Sequence, residues 1–209
     1  MVLAAAVLAA PPVFGQERVV DGIVALVNDR IITLIDVQIV EVFGVVEGSP
    51  ASDAGSARRE ILEKLINQKV LLDLYRGRSS VDPARVEAEI VRISARLGEE
   101  AMGALLLRFG IGTEGLRPYV EEKLDVETVI ADRFGRSVTV SLDEIESRYQ
   151  ARYVPGEQAA GRTPLPFLEA VDGLEKEIRA EKTLVQSAFW IQSLREQAEI
   201  EIRPDLLKR

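Results

Sequence analysis

One glycine pattern in the sequence has the spacing of a nucleotide-binding loop. Residues 110–115 read Gly-x-Gly-x-x-Gly, and Asp132 follows at about the distance of an acidic residue that would bind a ribose hydroxyl. A dinucleotide site also needs a buried parallel strand directly before the glycines. Here the preceding residues 99–109 are predicted to be helical, with Gly110 as the helix stop and Thr113 as the next cap. The sequence therefore favours helix punctuation over a nucleotide site.

Two acidic pairs raise the question of acid–base chemistry. Glu99-Glu100 and Glu121-Glu122 are adjacent carboxylates, and glycoside hydrolysis uses two carboxylates that face one sugar. Neighbouring residues on a helix point in different directions, so neither pair converges on one substrate. Both pairs are predicted to lie on solvated helix faces.

The residue types that the chain lacks exclude many catalytic mechanisms. It contains no His and no Cys. Ser-His-Asp and Cys-His catalysis, the usual zinc sites, disulfides and a histidine pH switch are therefore ruled out. Neither a phosphate-binding Gly-x-x-x-x-Gly-Lys loop nor a Ser-x-x-Lys motif occurs. We predict a protein without enzymatic activity, metal or cofactor.

Composition indicates a folded globular protein with an acidic surface. The 209 residues include 26 Lys and Arg against 34 Asp and Glu, which gives a net charge of −8. Hydrophobic residues make up 47% and charged residues 29%, as in a globular chain. Nucleic-acid binding requires clustered basic residues, so we expect no nucleic-acid partner.

The N-terminus has the pattern of a secretory signal. The first sixteen residues are uncharged, and residues 2–10 contain only Val, Leu and Ala. This run is shorter than the ~20 residues of a membrane span, and Val13 and Gly15 suit a cleavage site before Gln16. We therefore predict a signal peptide at 1–15 and an exported mature chain that does not insert stably into a membrane. The missing basic residue before the run leaves an upstream start codon open, and the alternative is an Ala-rich tail on a cytoplasmic protein.

A hairpin and a series of helices follow. The β-branched residues of 21–27 and 31–33 flank Asn28-Asp29, which is typical of a β-hairpin. Periodicity and capping residues then predict helices. They run from Thr33 through Val42, over 58–76, over 83–97, over 99–109, from Thr113 to Phe134 as the longest, and from Ser141 to about Tyr153. Residues 44–56 are predicted to form a loop.

The last third of the chain combines a linker, a helix and a strand. Residues 155–166 contain three prolines and two glycines, which predicts an irregular linker. From Phe167 to about Gln197 an apolar helical stripe includes Val185 and Phe189, and we expect the aromatic side chains of Phe189 and Trp190 to be buried. Residues 199–203 then alternate like a strand, which needs a partner sheet.

Six segments of the sequence form a recognisable series: 19–28, 31–37, 61–66, 167–171, 190–195 and 198–202. Together they resemble the chaperone module of SurA-type periplasmic chaperones. It implies a mainly α fold: a multi-helix chaperone module with a small sheet formed by an N-terminal hairpin and a C-terminal strand. Residues 16–154 would form the N-terminal region, and 167–209 would complete the same core.

The chain departs from its apparent relatives in the middle. Such proteins usually carry parvulin-type prolyl isomerase domains where this chain has only residues 153–167. Those domains use His residues, which are absent here. The resemblance therefore implies the chaperone module without isomerase activity, with residues 155–166 as a linker in place of the isomerase domain.

The resemblance also implies a function and a site. We expect an ATP-independent periplasmic holdase for unfolded outer-membrane or secreted polypeptides; the alternative is a structural or assembly adaptor for one dedicated partner. Apolar side chains between helices would line the client groove. Met102, Leu106, Phe109 and Tyr119 flank the short glycine-bounded helix, and Met and aromatic side chains adapt to varied partners, so we predict these four as client-binding residues. Ordinary core packing is the alternative role of each.

Overall fold

The computed structural model describes residues 22–46, 48, 53–75, 81–135 and 137–208. The predicted signal peptide at 1–15 lies outside these residues. The strands are β1 (Ile23–Val27), β2 (Arg30–Thr33) and β3 (Ile200–Ile202). The α-helices are α1 (Leu34–Phe43), α2 (Ala54–Leu74), α3 (Pro83–Leu97), α4 (Glu99–Phe109), α5 (Arg117–Phe134), α6 (Leu142–Arg148), α7 (Val154–Ala159) and α8 (Phe167–Arg195). The fold is mainly helical, as predicted.

The two ends of the described chain meet in one antiparallel sheet of order β2-β1-β3. Asn28, at a positive φ of 52°, makes the tight turn between β1 and β2. Its backbone N–H donates to the Glu199 carbonyl at 2.7 Å, and its side-chain Oδ1 accepts from the Glu199 N–H at 2.9 Å. The hairpin turn thus holds the start of the closing strand, and the predicted sheet is confirmed.

Local capping signals set most of the helix starts. Thr33 and Asp36 form a reciprocal capping box at α1, and Ser141 and Glu144 form another at α6. Asp82 caps α3, with Pro83 in the first turn. The predictions of these three starts are confirmed.

The predicted start and length of the helix at Thr113 are wrong. Thr113–Leu116 is a 3-10 turn, and α5 begins at Arg117 without a side-chain cap. The tight turn buries Leu116 completely, and the missing N–H of Pro118 falls in the first turn of α5, where no donor is needed. The longest helix is α8, with 29 residues.

The main core joins the sheet to α1–α5 and the C-terminus. Its fully buried side chains include Val24, Val27, Phe43, Ile66 and Leu116. Leu194 and Ile200 pack against it from the end of the chain, and Leu207 is buried in it. The C-terminal segment therefore completes this core with residues from the second half of α8 onward.

A second, smaller cluster lies outside the main core. It consists of Ile145 from α6 and Ala170, Leu174 and Ile178 from the first half of α8. Tyr149 and Tyr153 pack against it, with ring centroids 5.6 Å apart. The residues from α6 to the middle of α8 thus form a helical hairpin with its own apolar interior.

Part of the predicted linker is helical, which corrects the expectation that residues 155–166 are irregular. A π-helical turn at Tyr149–Tyr153 continues α6 into α7, so that Pro155 enters near the start of a new helical register. Only the residues from Ala160 to Pro166 lack helical structure in this part of the chain. The Tyr149 hydroxyl donates to the Leu165 carbonyl at 2.8 Å, so this connection is attached to the helical hairpin.

Candidate functional site

The four predicted client-binding residues lie on or in the main core. Met102 is 5% exposed, and Leu106 and Phe109 are partly buried against the core. The Phe109 ring lies 6.3 Å from the Phe43 ring, and the Tyr119 hydroxyl donates to Asp36 Oδ1 at 2.7 Å. These are the contacts of core side chains. Client binding by these residues stays a prediction, and ordinary core packing accounts for the contacts seen.

Helix α8 uses different sides in its two halves. Successive helical residues are about 100° apart around the axis, so Ala170, Leu174 and Ile178 occupy an arc of about 80°. These residues are buried in the second cluster. By the same geometry Trp190 and Leu194 lie on roughly the opposite side. Leu194 packs against the main core, and the Trp190 ring contacts Phe134. The two clusters therefore lie on opposite sides of one helix.

Beyond the second cluster the same side of α8 carries Glu181 and then becomes apolar again. Measured around the helix axis from Ala170, Val185, Ala188 and Phe189 lie within an arc of about 100°. Val185 is 54% exposed, and Phe189 is 74% exposed, which corrects the prediction that Phe189 is buried. Leu184, 71% exposed, borders them. We name Leu184, Val185, Ala188 and Phe189 the open α8 face.

The face is open because α6 begins opposite Lys182 and runs back along the first half of α8. Lys182 Nζ donates to the Thr139 carbonyl at 2.7 Å and to Glu144 Oε1 at 2.8 Å. These bonds fix the first turn of α6 beside the middle of α8 and leave the following α8 turns uncovered. Contiguous exposed apolar side chains on a globular fold are typical of an interaction site. The open α8 face is therefore the candidate functional site.

Charged groups line the side of α6 and α8 next to the covered part of the stripe. An open cleft of about 500 Å³ runs between the two helices, with Arg148, Arg152, Glu181 and Lys182 among its lining residues. Arg148 Nη1 donates to Glu181 Oε1 at 2.8 Å, and this hydrogen bond lowers the pKa of Glu181. These ion pairs bridge α6 and α8 at the surface, and the apolar surface of α8 lies in the turns beyond them.

Aromatic contacts fix the half of α8 that carries the open face. The Trp190 ring packs edge-on against Phe134 at 5.7 Å and Tyr75 at 6.4 Å. The Arg133 guanidinium lies 4.3 Å from the centre of the Trp190 ring, a cation–π distance. The contacts of Trp190 therefore fix one side of α8, and the open α8 face lies on the opposite side of the same helix.

We expect opposite results for the adjacent residues Phe189 and Trp190. Trp190→Ala removes three aromatic or cation–π contacts and should lower the free energy of unfolding by about 2–4 kcal/mol. Phe189→Ala removes an exposed side chain and should change it by less than about 0.5 kcal/mol. Urea denaturation followed by circular dichroism measures both. Equal destabilisation by the two substitutions would show that Phe189 is packed in the core, which would contradict the candidate site.

Acid should loosen the α6–α8 contact over a defined pH range. Hydrogen bonds from Lys182 and the Ser141 N–H lower the pKa of Glu144 from 4.5 to about 2. A carboxyl with a lowered pKa contributes stability fully above its ordinary pKa, and this contribution is lost as the pH falls from 4.5 through 2. Near-ultraviolet circular dichroism of the tyrosines beside the second cluster should report this change. Glu144→Gln should reduce the change, whereas Glu146→Gln, on the same helix, should leave it intact; equal behaviour of the two variants would contradict the assignment.

The fold gives no support to the nucleotide interpretation. Residues 110–115 follow α4 rather than a strand, and Gly110 ends that helix with a φ of 63°. Among the described residues, no cluster of three or more His, Cys, Asp or Glu is arranged to hold a metal ion. In the same part of the chain, no helix is long and apolar enough to span a bilayer.

The chain matches no model of a known protein family, and no curated protein matches it significantly.

Proposed function

We propose that this protein is an ATP-independent periplasmic holdase that binds unfolded outer-membrane proteins on the open α8 face. The observation that carries the proposal is the exposure of Leu184, Val185 and Phe189 on an anchored helix, in line with a stripe that is buried elsewhere. The resemblance of the sequence to SurA-type chaperones and the apolar N-terminus support the location and the client class.

The size of the face fits weak, reversible binding. Burying an exposed Val, Leu or Phe side chain contributes about 1.5–3 kcal/mol, so three of them supply roughly 4–9 kcal/mol before losses. Ordering an extended client opposes this gain. The remaining affinity lets a client dissociate when it folds, and release then needs no nucleotide. Binding and release of a client in this way involve no chemical reaction. We therefore propose that the protein is not an enzyme.

Binding breadth separates a holdase from an adaptor. Fluorescence anisotropy with several unrelated unfolded polypeptides, including a urea-unfolded outer-membrane barrel, should give comparable affinities. Because the contact is apolar, raising the salt concentration should weaken binding little. Tight binding of one folded partner and none of the unfolded chains would favour the adaptor.

A further inference from the structure

Strand β3 forms one edge of the sheet. It pairs with β1, and no strand of the described chain pairs with its other side. Ile202 is 38% exposed, and Glu201 is exposed. The outer side of β3 is thus accessible at the residues that the structure describes.

The register fixes which backbone groups point outward. Val27 lies opposite Ile200, and Ala25 lies opposite Ile202. The flanking bonds, Asn28 N–H to Glu199 carbonyl and Arg203 N–H to Val24 carbonyl, are those that surround non-hydrogen-bonded pairs of an antiparallel ladder. The N–H and C=O groups of Ile200 and Ile202 therefore point away from β1.

The end of the chain turns away from this edge. After β3 a 3-10 helix at Pro204–Lys208 carries Leu207 into the main core, where it is 3% exposed. Arg58 Nη1 donates to the Leu207 carbonyl at 3.4 Å, which directs the chain towards α2. The segment that follows β3 is held on the core side of the sheet.

We propose that β3 binds an extended, amphipathic strand segment of an unfolded client as a fourth strand of the sheet. Two outward N–H and two outward C=O groups, about 7 Å apart along the strand, match the ladder of an extended peptide. This inference rests on the proposed holdase function, because it adds a second contact for the same clients.

The side chains of β3 define the chemistry of the occupant. Ile200 and Ile202 lie on one face of the strand and Glu201 on the other. Side chains directly opposite one another interact, so an incoming strand fits best with apolar residues beside the two isoleucines and a polar or basic residue beside Glu201. Strands of outer-membrane barrels alternate apolar and polar residues in this way. The edge therefore selects amphipathic strands rather than apolar segments in general.

A peptide tests the edge directly. The probe is a fluorescent peptide of roughly ten residues that alternates Val or Tyr with Thr or Lys. Ile202→Pro removes one outward N–H that β1 does not use, and it should weaken peptide binding about five- to tenfold. Ile202→Ala keeps the N–H and should have a smaller effect. The same peptide with alternate backbone nitrogens methylated keeps its side chains and should not bind.

Hydrogen exchange of the unmodified protein gives a second measurement. Peptide binding should slow exchange of the Ile200 and Ile202 amides and leave the amides of Glu201 and Arg203, already in the ladder, nearly unchanged. Equal peptide affinity of Ile202→Pro and the unmodified protein, or unchanged exchange at Ile200 and Ile202, would overturn the proposal. The proposal would also be overturned if Ile202→Pro lost self-association but kept its affinity for the peptide, because the occupant of the edge would then be a second copy of the chain.

A measurement of client aggregation distinguishes failure of this inference from failure of the proposed holdase function. The edge proposal fails if Ile202→Pro binds the peptide as tightly as the unmodified protein does. The holdase proposal still stands in that case if substitution of Phe189 abolishes the suppression of client aggregation. If the unmodified protein does not suppress aggregation, the holdase proposal fails, whatever the peptide does.

Discussion

A chain that ends at Tyr153 is expected to lose cooperative unfolding. The truncation removes α8, β3 and the final 3-10 helix, and with them the main-core contacts of Leu194, Ile200 and Leu207. Burial of Leu207 contributes about 1.5–3 kcal/mol and that of the partly buried Leu194 and Ile200 somewhat less, against a total stability of roughly 5–15 kcal/mol. Loss of β3 also leaves β1 unpaired on one side. Thermal unfolding followed by far-ultraviolet circular dichroism measures the effect.

A fragment of residues 167–209 supplies the control for this truncation. Added to the shortened chain, it should restore a cooperative transition, because it carries the missing strand and the Trp190 contacts. Its single tryptophan reports docking by fluorescence. A truncated chain that melts cooperatively at the temperature of the full protein would show that the closing segment is an appendage.

Substituting the open α8 face is expected to abolish client binding without unfolding the protein. In the triple variant Leu184→Gln, Val185→Gln and Phe189→Gln, each change affects an exposed helical position and should alter the free energy of unfolding by less than about 0.5 kcal/mol. Affinity for an unfolded barrel protein should fall at least roughly tenfold, since the apolar contact supplies most of it. Fluorescence anisotropy measures the affinity.

The matched control removes apolar surface elsewhere. Leu107 and Leu168 are 85% and 86% exposed but lie outside the open face. The double variant Leu107→Gln and Leu168→Gln should bind clients as the unmodified protein does. If both variants lose binding equally, general surface hydrophobicity rather than the open face is responsible.

Much of the fold follows from local sequence signals. Asn28-Asp29 specifies the hairpin turn, and Thr33, Asp82 and Ser141 specify helix starts through their own side chains. These features depend on residues a few positions apart, so a sequence pattern contains all of their determinants. The π-helical turn at Tyr149–Tyr153 was missed because Pro155 normally ends a helix and its accommodation depends on a change of register.

The candidate site could not be predicted in the same way. Hydrophobic periodicity shows that Val185 and Phe189 share a side of α8, but not whether another element covers that side. Coverage ends where Lys182 bonds to Glu144 and Thr139, contacts that span about forty residues of sequence. One signal was available: residues of the two halves, such as Ile178 and Leu194, do not share one narrow stripe. The prediction of Met102 depends on its residue type and its position in a short glycine-bounded helix, and neither property distinguishes a groove from a core.

Light scattering of a diluted, urea-unfolded outer-membrane barrel tests the central claim most directly. The unmodified protein, at a several-fold molar excess and without ATP, should suppress aggregation. The triple variant of Leu184, Val185 and Phe189 should not suppress it, and the double variant of Leu107 and Leu168 should do so fully. Unchanged aggregation with the unmodified protein, or equal suppression by the triple variant, would contradict binding of clients on the open α8 face.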